Sequence, residues 1–148
     1  MSITRQTFLI TAVSAMFIPQ VARASGNHRP RVVSYRSPGC TCCEGWMAAM
    51  QTAGYDVTTL DDPHYEDRNR REGITPDLAS CHVAYVRGYV VVGHMPPGIV
   101  DRMLREHPHI HGISLPGMPP GSPGMPGEKI GPWRIMVIEA KPRVYAEV

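Results

Sequence analysis

Apart from one apolar run near its start, the 148-residue sequence has no stretch approaching the roughly 20 apolar residues that a membrane-spanning helix requires. That run, Phe8 to Ile18, is itself too short to span. It follows Arg5 and precedes Ala22-Arg23-Ala24, the pattern of an export signal with its cleavage site. Residues 1–24 are therefore expected to be a signal peptide, and 25–148 one soluble domain with no stable membrane span, large enough to bury a core. Net charge is also lacking. The formal charge of +2 includes two arginines of the signal, so the expected mature chain balances 13 Lys+Arg against 13 Asp+Glu. With no basic excess, the charge balance argues against a nucleic-acid partner.

Cysteine is scarce and badly spaced for stapling a small exported domain. Of four cysteines, three fall in "PGCTCCE" at Cys40, Cys42 and Cys43, and Cys81 stands alone. Adjacent Cys42 and Cys43 cannot bridge one another without straining their shared peptide. Cys40 and Cys43 have the C-x-x-C spacing of redox sites. Three readings stay open: a disulfide framework, a thiol-disulfide redox pair, and a soft-metal site.

What is present reads as alternating strands and helices. Arg31 to Arg36 carries β-favouring Val32, Val33 and Tyr35 and stops at Ser37-Pro38-Gly39. A helix is expected from about Cys43 to Ala53, with Trp46, Met47 and Met50 on a core face and Gly54 as its stop. Tyr55 to Leu60 alternates as a strand. Asp62-Pro63 has the form of an N-cap and first helical residue of a short polar helix reaching Glu72. His82–Val86 and Tyr89–Gly93 flank Arg87-Gly88 as a hairpin. A third helix is expected from Pro97, its inner stripe formed by Ile99, Val100, Met103, Leu104 and His107, closed by Pro108. From Gly112 to Gly131, prolines and glycines forbid long regular elements. Trp133–Ile138 and Val144–Val148 then read as two strands, pairing with each other or adding to a sheet edge.

This order is how a thioredoxin-like α/β domain is built: a mixed sheet with flanking helices, here followed by a Pro/Gly/Met-rich loop in the C-terminal part. In that architecture the turn before the third strand lies beside the start of the first helix. Ser80-Cys81-His82 is therefore expected to approach the other three thiols.

The chemistry of these residues favours soft metal ions. Thiolates prefer Cu(I) or zinc to the ions that suit oxygen ligands. A helix N-terminus lowers a cysteine pKa, which also favours a redox nucleophile. A dithiol site needs only Cys40 and Cys43. A metal site uses all four, and four thiolates balance four Cu(I) ions. One tetrahedral zinc fits adjacent cysteines poorly, although a structural zinc remains an alternative. His82 and His94 could ligate or hydrogen-bond the sulfurs, against a surface or capping role. Met118 and Met125, in two copies of Pro-Gly-Met-Pro, could present thioethers to Cu(I) or plug the domain edge. In "HPHIH", His107, His109 and His111 could clasp Cu(II) or Zn(II), but a solvated loop explains them more simply.

Taken in order, "CTCCEGW", "LASCHVAYVRGYVVVGHMP" and "LPGMPPGSPGM" resemble a family of exported bacterial predicted metal-binding proteins that includes the periplasmic copper-resistance protein CopG. The resemblance spans roughly Val32 to Met125. It implies a thioredoxin-like fold and a periplasmic copper role, with Cys40, Cys42, Cys43 and Cys81 matching thiols that hold a multicopper Cu(I) cluster. His82, His94, Met118 and Met125 fall inside the same motifs without inheriting a ligand role as firmly. The expected function is holding copper in resistance or homeostasis, with another periplasmic copper-handling protein as a conceivable partner. A thiol-disulfide or copper oxidoreductase using Cys40 and Cys43 is the alternative, and an enzymatic activity is not required.

Overall fold

The computed structural model describes residues 30–148, so the expected signal at 1–24 and the cut before Ser25 lie outside the described residues. The elements run β1 (Arg31–Arg36), α1 (Thr41–Thr52), β2 (Asp56–Asp61), α2 (Tyr65–Arg71), β3 (His82–Val86), β4 (Tyr89–Val92), α3 (Pro97–Glu106), β5 (Gly112–Ser114), β6 (Arg134–Val137) and β7 (Val144–Glu147). They form one seven-stranded mixed sheet of order β2-β1-β3-β4-β5-β6-β7. β1 pairs parallel with β2 across the α1 crossover and antiparallel with β3, and β3 pairs antiparallel with β4. This is the expected thioredoxin-like core. β5, β6 and β7 extend it, with β5 parallel to β4 and the last two pairings antiparallel.

Alternation along the central strands divides the core between two faces. Val32, Ala84, Val86, Val91 and Ile113 pack with Trp46 and Met50 of α1 and with Ile99, Val100 and Met103 of α3. Val83, Val90 and Val92 point the other way, against Ile74, Leu78 and Ile138. Both faces are covered, which is why β3 and β4 read as continuous apolar runs rather than as a polar-apolar alternation. Their connection is the expected tight hairpin. Arg87 and Gly88 have φ values of 46° and 85°, both positive as a type I′ turn demands.

Three expectations need correction. α1 begins at Thr41 rather than Cys43, so Cys40 is its N-cap and Cys42 and Cys43 lie in its first turn. α2 starts two residues later than the Asp62-Pro63 signature suggested, with His64 as N-cap. Asp62 instead accepts a hydrogen bond from the His64 amide at 2.9 Å and grips Arg68. His107 does not face the core: it is exposed and ends α3 in a left-handed conformation with φ 47°. At the start of the Pro/Gly-rich stretch, where no long regular element was expected, Gly112–Ser114 forms a short, fully buried strand. Three residues between two neighbouring strands suffice for pairing but leave no periodicity to read.

Candidate metal centre

The centre is assembled where two chain reversals meet. After β1, Ser37 to Gly39 turn the chain into α1. The Ser37 amide donates to the Cys81 carbonyl at 3.3 Å, tying this turn to the segment entering β3. Register does the rest: Arg36 at the end of β1 pairs with His82 at the start of β3, so Cys81 arrives beside the first turn of α1. A residue 38 positions from Cys43 in sequence thus has its sulfur 3.4 Å from that of Cys43. The Cys42 sulfur lies 3.4 Å from that of Cys40 and 3.8 Å from that of Cys81. All four sulfurs fall within 4.8 Å of one another. Cys40 and Cys43 form a disulfide, and Cys42 and Cys81 are free thiols.

Two histidines complete one side. His82 is buried, tilted on the Trp46 ring with centroids 4.4 Å apart, and its Nδ1 lies 3.5 Å from the Cys81 sulfur. His94 is also buried, and its Nε2 is 3.2 Å from the same sulfur. Cys81, His82 and His94 therefore make a second group whose donor atoms lie within 4.8 Å. Neither histidine occupies the surface or capping role that stood as the alternative. Trp46 anchors the wall beneath them, its indole N–H donating to the Met95 carbonyl at 2.9 Å.

Burial favours the neutral forms of three groups at the site. Burial, and then the charge of neighbouring Cys42, push the Cys81 thiol up to about 12. Burial, and then His94, push His82 down to about 3, and burial likewise lowers His94. Cys81 thus resists the thiolate form, and His82 and His94 the imidazolium form. A bound cation reverses this logic for sulfur, since a coordinated thiol is deprotonated outright. The spacing suits it. Neighbouring sulfurs stand 3.4 to 3.8 Å apart, near enough for two of them to share one soft ion at a metal–sulfur distance of about 2.3 Å. With two sulfurs joined in a disulfide, four-thiolate ligation requires a prior two-electron reduction.

The helical methionines pack in the core as expected. Trp46 and Met50 are buried core and Met47 packs against them. Met118 is half-buried in a turn with φ 45°. Met125, also half-buried, directly follows Gly124, which is seated on the first turns of α1. The "HPHIH" histidines do not join the centre. His111 pairs with Glu72 at 2.9 Å and His107 caps α3. The site also includes something sequence reasoning missed: the Pro123 carbonyl, 2.7 Å from His94 Nδ1. A backbone acceptor in a Pro/Gly loop leaves no side-chain signature.

A search of curated proteins gives no match. The family described as "Protein of unknown function, DUF411" matches residues 78–125, a segment that holds Cys81, His82, His94, Met118 and Met125. Among solved structures, "Copper resistance protein copG- Form 2" superposes with a TM-score of 0.74 at 28% identity, covering 81% of this chain and 98% of that one. Form 1 of the same protein gives 0.73 with equal identity and coverage. The chain resembles CopG in both fold and sequence. With the family match and these superpositions, the expected family resemblance and fold class hold.

Proposed function

We propose that this protein is a periplasmic holder of Cu(I), binding several copper ions through Cys40, Cys42, Cys43 and Cys81 in copper resistance or homeostasis. The observation that carries this reading is the convergence of all four sulfurs within 4.8 Å, including Cys81 from a different element. A dithiol site needs neither Cys42 nor Cys81. Soft sulfur donors favour Cu(I), and bridging sulfurs tolerate the close spacing of Cys42 and Cys43 better than one tetrahedral zinc does. The likeness to CopG supports copper over zinc. His82, His94, Met118 and Met125 are the further candidate ligands. Residues 1–24 would direct export and 25–148 form the working domain, delivering copper to another copper-handling protein.

The second reading, a thiol-disulfide or copper oxidoreductase, is favoured by the Cys40–Cys43 disulfide itself. Exchange with an internal thiol is poorly aligned, however. A sulfur 3.4 Å from Cys43 and in line with an S–S bond of about 2 Å would lie about 5.4 Å from the Cys40 sulfur, whereas all four sit within 4.8 Å. This misalignment supports holding ions over an internal thiol relay.

The test is anaerobic metal analysis of the reduced protein, with free thiols counted before and after loading. Several Cu(I) per chain with all four thiols protected supports the proposal. One zinc per chain, or a reversible disulfide with no metal bound, overturns it.

A further inference from the structure

His94 is held between two groups of opposite character. Its Nδ1 lies 2.7 Å from the Pro123 carbonyl, which can only accept, so Nδ1 carries the proton. Nε2, 3.2 Å from the Cys81 sulfur, is left with its lone pair toward the thiol centre. The carbonyl that makes this choice belongs to a loop 29 positions away, and the loop is fastened to the other half of the site. Gly124, with φ 86°, sits so close to α1 that a Cβ there would overlap the Trp46 amide nitrogen and lie 2.9 Å from the Cys42 carbonyl oxygen. On the helix side, a Cβ on Gly45 would lie 2.6 Å from the Gly124 Cα. Glycine meets glycine here because nothing larger fits.

The loop is also braced internally. The Ser122 hydroxyl donates to the Pro119 carbonyl at 2.7 Å, and the Met125 amide donates to the Ser122 carbonyl at 2.8 Å. Proline at 123 restricts the backbone further.

We propose that the Pro123 carbonyl is a positioning group, and that the loop around it is a strap fastened by the Gly45–Gly124 contact, which sets the His94 tautomer and so aims Nε2 at the thiol centre. Unseating the strap frees the ring to protonate Nε2 or to rotate, and the lone pair is lost to the site. Its consequence for copper rests on the function proposed above; the tautomer itself does not.

The experiment reads the two separately. In reduced, metal-free, ¹⁵N-labelled protein, two-bond ring spectra should show His94 with a protonated Nδ1 and a bare Nε2. Gly124→Ala should mix the tautomers, while Pro126→Ala, which keeps the seat, should not. Against a competing Cu(I) chelator, Gly124→Ala should lose about 10- to 100-fold in affinity, the usual scale for outer partners of ligands, and His94→Gln should lose at least as much. The double variant should lose little beyond His94→Gln alone, since both remove one interaction. If Gly124→Ala does not fold, Ser122→Ala, which loosens the same strap, takes its place. A wild-type His94 protonated on Nε2, an unchanged tautomer in the strap variant, or additive copper losses would each overturn the proposal. Absence of Cu(I) binding in wild type with the tautomer pattern intact would sink the copper reading and leave the positioning role standing.

Discussion

Cys42 is the residue that separates a cluster from a dithiol, because C-x-x-C chemistry does not require it. Its sulfur lies between those of Cys40 and Cys81, at 3.4 and 3.8 Å. Cys42→Ser should therefore abolish the multicopper form, leaving about one copper or none per chain, because a hard, protonated hydroxyl cannot bridge soft ions. Disulfide formation between Cys40 and Cys43 should persist. Copper bound per chain and the rate of thiol-disulfide exchange, measured on this one variant, decide it; full copper loading would refute the cluster. Cys81→Ser should weaken binding as much as Cys40→Ser, sequence distance notwithstanding, as chelator competition will report. Met118→Leu with Met125→Leu keeps apolar bulk and removes both thioethers. The fold should survive with altered copper uptake or transfer, whereas unchanged rates would reduce both residues to edge packing.

Among the elements, α1 carries a conflict between local preference and tertiary contact. Alanine is favoured over glycine within a helix by about 1 kcal/mol, so Gly45→Ala would stabilise α1 in isolation. In the folded chain the new Cβ lies 2.6 Å from the Gly124 Cα, backbone against backbone. The expected net result is destabilisation by about 1–3 kcal/mol, read from denaturant midpoints, and a stabilised variant would mean the loop yields freely. α2 offers a test by pH. Its Arg68, stacked over the Tyr35 ring at 3.5 Å, is hydrogen-bonded by Asp62 at 2.7 and 3.0 Å. Arg68, and then the His64 amide, hold the Asp62 carboxyl below its ordinary 3.8. A depressed carboxylate contributes stability above its unfolded pKa and loses it as pH falls through the folded one. Asp62→Asn should accordingly be less stable than wild type at pH 7, with the gap closing below about pH 3.8 in unfolding curves compared across pH.

For the molecule as a whole, the proposed copper binding would compete with oxidation for the same sulfurs. Cargo that binds only the folded state stabilises it by about 4 kcal/mol when free ligand is 1,000-fold above Kd. Reduced protein should show a higher thermal midpoint with Cu(I). Protein kept with its Cys40–Cys43 disulfide should show little or no such rise, and an equal rise in both would argue against four-sulfur ligation. Scanning calorimetry under anaerobic conditions checks this. His111–Glu72 and Tyr85–Glu72, at 2.9 and 2.7 Å, lie outside the centre and should leave the copper-induced rise unchanged when Glu72 is replaced by Gln.

Much of this was legible from local chemistry. Paired apolar runs around Arg87-Gly88 specify a hairpin because turn geometry and β-propensity are properties of a few neighbouring residues. Three thiols at Cys40, Cys42 and Cys43 announce soft-ion or redox chemistry for the same reason. Cys81 could be assigned to them only through an assumed strand order, which the β1–β3 register then supplied. Some things were invisible in one dimension. β5 is three residues long and exists because β4 and β6 flank it. His107 fits the helical stripe of α3, but the chain turns left-handed there before the ring can reach the core. The Pro123 carbonyl, like the fit of Gly124 on α1, depends on how a loop lies over a helix it does not adjoin in sequence. Side-chain chemistry is written residue by residue, whereas backbone groups are alike in every residue. Which of them faces a functional side chain is decided only by the tertiary structure.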